Sequence, residues 1–320
     1  MSIPTQHPFD FDPTHGCSLD ALRAIEPPEG PPEFDAFWRA RYARALAIDP
    51  QARISDSGSG HPDWHVHDIG YTSTDDFPIG GWLLLPRAGV VRRGLVIGHG
   101  YGGRDQPDFD IPVAQTAVLF PCFRGLSRSR RAPISDDPAW HVLHDVDKPE
   151  RYILGGCVED LWVAVSVLAG LFPGLDGIGY SGVSFGGGIG ALGLAVDARI
   201  DRGHLVVPTF GNMPLWLSLR SVGSAHAVQA YRTAHPEVAE TMRLFDAATA
   251  ATRVRIPTLV AVARFDPAVA PPCQFSIANA LAGAKHHETV VLDAGHFDYP
   301  GQERQHALLA EKVRRFFGTT

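Results

Sequence analysis

The spacing of apolar positions changes along the chain, and each change predicts a different element. Residues 34–48 (FDAFWRARYARALAI) place Phe34, Trp38, Tyr42 and Leu46 at four-residue steps, the signature of one apolar helix face. Residues 64–69 and 82–85 are apolar-rich runs separated by Asp75, Asp76, Pro78, Gly80 and Gly81, which predict antiparallel strands with loop punctuation. Further on, short apolar runs at 95–97, 116–120, 177–180, 202–207, 258–262 and 288–292 predict buried strands, and the longer runs 156–171, 186–196 and 302–317 predict helices. Strands alternating with helices give an α/β fold: a mostly parallel central sheet, helices on both faces and right-handed crossovers. The stretch 210–246, with Trp216, His226, Tyr231 and His235, interrupts that rhythm and predicts an inserted helical cap or substrate-facing excursion. Residues 1–60 are rich in proline and acidic side chains, with a stiff connector at Pro27, Pro28, Pro31 and Pro32. They predict an N-terminal extension whose helix packs on a main domain at 61–320.

Composition narrows the classes. The chain has 320 residues, 45% hydrophobic and 20% charged, with a formal net charge of −7. That is enough to bury a large core without staples, and the charge argues against nucleic acid as the main partner. The exception is the run 124–131, where Arg124, Arg128, Arg130 and Arg131 cluster. Solvated arginines pairing with acids such as Asp136 and Asp137 are the expected reading of the last three. Cys17, Cys122, Cys157 and Cys273 form no CxxC pair and have no metal-finger spacing; Cys122 and Cys157 are expected as buried free thiols. His61, His65 and His67 lack a carboxylate or cysteine to complete a metal set. The start has no basic region followed by an apolar run, and no bilayer-length uncharged stretch follows. A cytoplasmic protein with no membrane partner is therefore the expectation.

The sharpest chemical signal is Gly182-Val183-Ser184-Phe185-Gly186, a G-x-S-x-G pentapeptide between an apolar strand (GIGY) and a small-residue helix (GGGIGALGLAV). This is the context of a nucleophile elbow. Flanking glycines remove the Cβ atoms that a tight turn cannot accommodate, and the helix N-terminus favours developing negative charge. A serine needs a base, and on the α/β-hydrolase fold the order is Ser, then Asp or Glu, then His. Asp266 follows the run 258–262, where catalytic groups gather in open α/β sheets. His296 follows the last strand; Asp293 and Asp298 are rival acids beside it. The oxyanion needs two donors. The backbone N–H of Phe185 is one, and the N–H of Tyr101, in His99-Gly100-Tyr101-Gly102-Gly103 after LVIG, is the other. HGYGG lacks the Lys-Ser/Thr ending of a phosphate loop. No cofactor and no metal are expected.

These motifs carry a family likeness. From PPEFDAFWRARYARAL through HGYGG, FRGLSRS, YILGGCVEDLWVAV and GVSFGGG to FDPAVAPP and AGHF, the chain resembles the acetyl xylan esterase and cephalosporin C deacetylase family, over most of its length from about residue 31. The resemblance implies removal of short acyl groups, typically acetyl, from sugar or other alcohol esters through an acyl-serine intermediate. It implies Ser184, Asp266 and His296 as the triad, Tyr101 and Phe185 as oxyanion donors, Arg124, Pro208 and Phe297 at the substrate site, and a homo-oligomer. The chain departs from the pattern in three places: the family usually has Gln where Phe185 stands, Arg-Gly-Gln where Arg124-Gly125-Leu126 stands, and Glu where Phe297 stands. Two apolar replacements predict an alcohol site less suited to sugars, with Phe185 as part of its wall. The competing readings are another serine hydrolase on this fold, such as a lactonase or peptidase, and a non-catalytic binding protein.

Overall fold

The computed structural model describes residues 3–4 and 6–318. The strands are β1 (Arg53–Gly60), β2 (Trp64–Ser73), β3 (Phe77–Pro86), β4 (Arg93–Gly98), β5 (Thr116–Pro121), β6 (Gly177–Val183), β7 (Ile200–Val206), β8 (Thr258–Ala263) and β9 (Glu288–Leu292). They form one sheet in the order β1-β2-β3-β5-β4-β6-β7-β8-β9. Pairing is antiparallel from β1 to β5 across β2 and β3, and parallel from β5 through β9. β5 lies on one side of β4 and β6 on the other, so the chain reverses its direction of travel at β4. Crevices for ligands open at the carboxyl ends of strands at such a reversal.

Successive side chains on a strand face opposite ways. Leu83, Val96 and Leu119 therefore enter one core, while their neighbours Leu84, Leu95 and Val118 enter another on the opposite face. The larger core lies under helices Ile153–Leu171, Phe185–Leu194 and Pro271–Ala280. The other face is covered by Gln302–Gly318, which buries Leu309 and Phe317. Cys122, Cys157 and Cys273 are buried and Cys17 is half-buried, all as free thiols.

The helix at 34–48 is observed as Phe34–Leu46, but it buries Phe34, Trp38, Arg41 and Ala45. Leu46 is exposed. Steps of four residues overshoot a full turn by about 40° each, so a stripe of fours rotates off the core, whereas steps of four, three and four stay on it. Arg41 belongs on this face because its charge is met there: its guanidinium lies 3.2 Å from Glu159, and Arg44 lies 2.6 Å from the same carboxylate. β1 (RISDSGSG) carries no apolar alternation, and it joins residues 53–60, read from sequence as part of the extension, to the sheet edge. It is exposed and polar with a register irregularity between Asp56 and Gly60, features that discourage edge-to-edge pairing. The insertion holds the short helices Met213–Trp216, Ser224–Arg232 and Val238–Leu244. Asp246 closes it, its carboxylate accepting from the N–H groups of Asn212, Met213, Ala248 and Thr249.

Candidate active site

Four loops at the carboxyl edge of the sheet, following β4, β6, β8 and β9, carry the candidate residues. Ser184 follows β6 and has φ 53° and ψ −111°, a conformation costing on the order of 1–3 kcal/mol. The tightness of the turn shows in its glycines: a Cβ on Gly182 would stand 2.3 Å from the Gly186 carbonyl oxygen, and one on Gly186 would stand 2.8 Å from backbone atoms of Gly98 and His99. The turn is held by the Ser184 N–H donating to Val206 O at 2.8 Å and by Gly186 N–H donating to His99 O at 3.0 Å.

The structure brings Ser184, His296 and Asp266 into one line. Ser184 Oγ is 2.9 Å from His296 Nε2, and His296 Nδ1 is 2.8 Å from Asp266 Oδ2. A carboxylate only accepts, so Nδ1 carries the proton and Nε2 is free to accept from the serine hydroxyl. Asp266 is buried. Enclosure of the imidazole disfavours its cation, but the charge and hydrogen bond of Asp266 outweigh this and hold the His296 pKa above its ordinary value. Among the described residues, Asp266 is the carboxylate paired with this imidazole; Asp293 and Asp298 are not. Gly295 is required by the same contact, since a Cβ there would stand 2.5 Å from Asp266 Oδ2.

Phe185 opens helix Phe185–Leu194, so its N–H has no intrahelical acceptor. Tyr101 N–H belongs to the peptide whose carbonyl is that of Gly100. That carbonyl accepts from Gly103 N–H at 3.0 Å and lies 2.7 Å from His99 Nδ1. His99 Nε2 accepts from Phe123 N–H at 3.0 Å, so Nδ1 is the donor. Burial pushes the His99 pKa down to about 4, keeping this tautomer neutral. In a trans peptide the N–H opposes the C=O; fixing the Gly100 carbonyl therefore fixes the direction of Tyr101 N–H. His99 was legible only as the opening of HGYGG, and its role in the loop was not.

The remaining predicted residues divide. Pro208 is buried beside the Ser184 turn, its Cα being 2.9 Å from the position of a Cβ on Gly187. Phe297 lines a cavity of about 550 Å³ with Val183, Val207, Leu292, His296 and Tyr299. Its ring lies 5.2 Å from that of Phe265 and 5.8 Å from that of Phe9. Arg124 is a correction. Its guanidinium is buried and occupied by Asp160 at 2.6 Å, Ser73 at 3.2 Å and Thr74 at 2.9 Å, because the fully buried Asp160 carboxylate needs a compensating charge; it is a structural ion pair, not a substrate contact. Phe185 is also corrected as a pocket wall. Its side chain is fully buried, stacked 4.1 Å from Tyr101 and enclosed by Phe123, His141 and Phe210. Trp216 is likewise a core residue, donating to Thr209 Oγ1 at 3.2 Å. Arg128 pairs with Asp68 at 2.6 Å, and Arg130 with Asp136 at 2.7 Å.

Missed from sequence are Gln274, whose Nε2 is 2.9 Å from Asp266 Oδ2, and the N-terminal segment, where Pro13 O accepts from Asp266 N–H at 3.2 Å. A polar residue within the apolar run PPCQFSI was the one available signal for Gln274.

A mixed sheet with helices on both faces and a serine, histidine and aspartate on its carboxyl-edge loops defines an α/β-hydrolase. The sequence model of the acetyl xylan esterase (AXE1) family matches residues 15–313, and the chain belongs to that family. It is accordingly a serine ester hydrolase of the carboxylesterase and deacetylase class. Among solved structures, it is similar to acetyl xylan esterase 1 from Thermoanaerobacterium sp. JW/SL YS485 (TM-score 0.78, 18% identity, covering 95% of this chain and 99% of that one). It is similar to an acetyl xylan esterase from Paenibacillus sp. R4 (TM-score 0.77, 22% identity, 92% and 99% covered). The acylaminoacyl peptidase of Pyrococcus horikoshii shares the fold over part of its length (TM-score 0.62, 16% identity, 80% of this chain and 41% of that one).

Proposed function

We propose that Ser184 is the nucleophile, His296 the general base and acid, and Asp266 its carboxylate partner, in hydrolysis of short-acyl esters of an apolar alcohol. The observation that carries this is the unbroken line Ser184 Oγ–His296 Nε2 at 2.9 Å and His296 Nδ1–Asp266 Oδ2 at 2.8 Å. His296 takes the hydroxyl proton as Ser184 attacks the ester carbonyl. The backbone N–H groups of Tyr101 and Phe185 receive the oxyanion. The imidazolium, held by Asp266, returns the proton to the departing alkoxide, and water deacylates the serine by the same steps in reverse. The alcohol oxygen must meet His296 Nε2 as it leaves. The cavity beside His296, walled by Phe297, Leu292 and Val207, therefore suits an apolar alcohol better than a bare sugar. Family membership supports acetyl as the acyl group and a homo-oligomer as the working form.

Substitution Ser184→Ala with a fluorophosphonate probe and an ester panel tests the reading. The native protein labels at Ser184 and turns over nitrophenyl acetate faster than longer acyl esters. The preference is graded, because one methylene in an apolar pocket is worth only about 1–3 kcal/mol. The Ser184→Ala protein neither labels nor turns over beyond the residual rate, on the order of a thousandfold above water, that oxyanion donors alone supply. Ester hydrolysis at the native rate by this variant would place the nucleophile elsewhere. Aryl acetates outpacing acetylated sugars would support the apolar alcohol, and the reverse order would refute it. Light scattering on the purified protein reads the oligomer.

A further inference from the structure

We propose that Gln274 is a positioning residue for the reaction, its amide holding the Asp266 carboxylate against His296; this rests on the reading of Ser184, His296 and Asp266 above. Gln274 is fully buried on helix Pro271–Ala280. Three of its four hydrogen-bonding directions are used, both N–H donors among them. Oε1 accepts from Ala263 N–H at 2.8 Å, and Nε2 donates to Val269 O at 2.7 Å and to Asp266 Oδ2 at 2.9 Å. The amide cannot be flipped: a backbone N–H requires the oxygen and a backbone carbonyl requires the nitrogen. The Nε2 donor is thus aimed at Asp266 by the end of β8 and by the loop that follows it. Asp266 Oδ1 accepts from Ala268 N–H and Val269 N–H, both at 2.9 Å. Those two bonds fix one carboxylate oxygen. The other, the one that holds the imidazole, shares its lone pairs, among the described residues, between Gln274 and His296. Without Gln274 the carboxylate can rotate about its Oδ1 bonds, and the imidazole loses the direction that carries Nε2 to Ser184.

A double-substitution cycle tests this. Gln274→Met keeps the volume and removes the donor. It should lower kcat on the order of ten- to a hundredfold, as loss of groups orienting a functional side chain from behind typically does, with KM little changed. Asp266→Asn alone should lower kcat far more, on the order of ten-thousandfold, and adding Gln274→Met to it should cost almost nothing further, because the group Gln274 acts through is already lost. A mere packing role would give the same loss in both backgrounds, and that result would overturn the proposal. So would native kcat in a folded Gln274→Met protein. Native kcat in Asp266→Asn would instead overturn the reading of the triad, leaving the two failures distinguishable. Should Gln274→Met not fold, Gln274→Glu decides. It keeps the acceptor for Ala263, but an ionised carboxylate has no proton to give, so it donates to Asp266 only while protonated, a form that the Asp266 charge about 3 Å away favours until the pH is raised. Among the described residues the charged partner of His296 is Asp266. The Glu variant should therefore lose activity as pH rises, on the side where native activity holds its plateau. A native plateau in that variant would overturn the proposal.

Discussion

Gly295 shows how narrow the tolerance is at single positions. Its backbone needs no left-handed angle; it needs an empty Cβ direction, because Asp266 Oδ2 occupies that space at 2.5 Å. Gly295→Ala should displace the carboxylate from His296 Nδ1 and lower kcat by at least tenfold, with secondary structure by circular dichroism unchanged. Native kcat would mean that the loop yields at no cost. The protonation of His296 has a direction too. Asp266 raises its pKa, and only the neutral imidazole can accept the serine proton. Activity should rise with pH through a point above the ordinary histidine value of about 6.5, measured as the acid limb of kcat/KM. Asp266→Asn should move that limb to lower pH, since the raising charge is gone; a limb that stays put would separate Asp266 from His296. That Ser184, Asp266 and His296 lie beside one another was legible because each sits on a loop just past a strand, in a motif with few alternative meanings. Nothing in the sequence marked Gly295, since the demand on it comes from a side chain twenty-nine positions away in the chain.

At the scale of elements, the same long reach explains the N-terminal segment. Residues 9–13 read as part of a proline-rich extension, yet they run along the Asp266 and His296 loops. Pro13 O accepts from Asp266 N–H, Phe9 packs on Phe297, and Asp10 pairs with Arg220 of the insertion at 2.6 Å. No periodicity marks this, because residues 9–13 are neither helix nor strand and their partners lie more than two hundred residues on. Helix Phe34–Leu46 was legible as a helix, but its buried face was not, since Arg41 is inside through partners distant in sequence, the Glu159 carboxylate and the Glu150 carbonyl. β1 was not legible at all: an exposed polar strand gives no alternation to read. The segment carries a prediction. Phe9 and Phe297 form an edge-on aromatic pair at 5.8 Å with an interplanar angle of 63°, and Phe297 walls the cavity beside His296. Phe9→Ala should release Phe297, raising KM for aryl esters severalfold while leaving fluorophosphonate labelling of Ser184 intact. An unchanged KM would show that Phe297 is held by Phe265 alone.

Across the whole molecule, the alternation of strands and helices gave the sheet, its parallel half and the edge on which the site lies. The charges inside it were not visible, because a sequence does not show which Asp, Glu or His is enclosed. Asp160 and Glu159 are adjacent in a helix that is otherwise apolar and are met by arginines from two directions. Among the described residues, His99, His141 and His204 are enclosed with no carboxylate bonded to the ring, and burial pushes each pKa down to about 4. Their bonds agree with neutral rings: His99 Nε2 accepts from a backbone N–H, and His141 Nε2 must donate to Arg124 O at 2.9 Å. His204 Nδ1 meets Ser181 Oγ at 3.0 Å between β6 and β7. The unfolded chain protonates these rings below about 6.5, while the folded one does not until about 4. Between those values the unfolded state binds more protons, so stability is complete above the upper limit and is lost as pH falls, by about 1.4 kcal/mol per pH unit for each ring. Chemical denaturation at pH 7, 6, 5 and 4 measures that slope. His204→Asn keeps a polar partner for Ser181 but does not titrate. It should be less stable than the native protein at pH 7, yet its stability should fall less steeply below pH 6.5, by about one ring's share of the slope. Parallel slopes in the two proteins would mean that His204 is already protonated in the folded state or shielded equally in the unfolded one, and acid sensitivity would then have to come from His99 and His141 beside the Tyr101 loop.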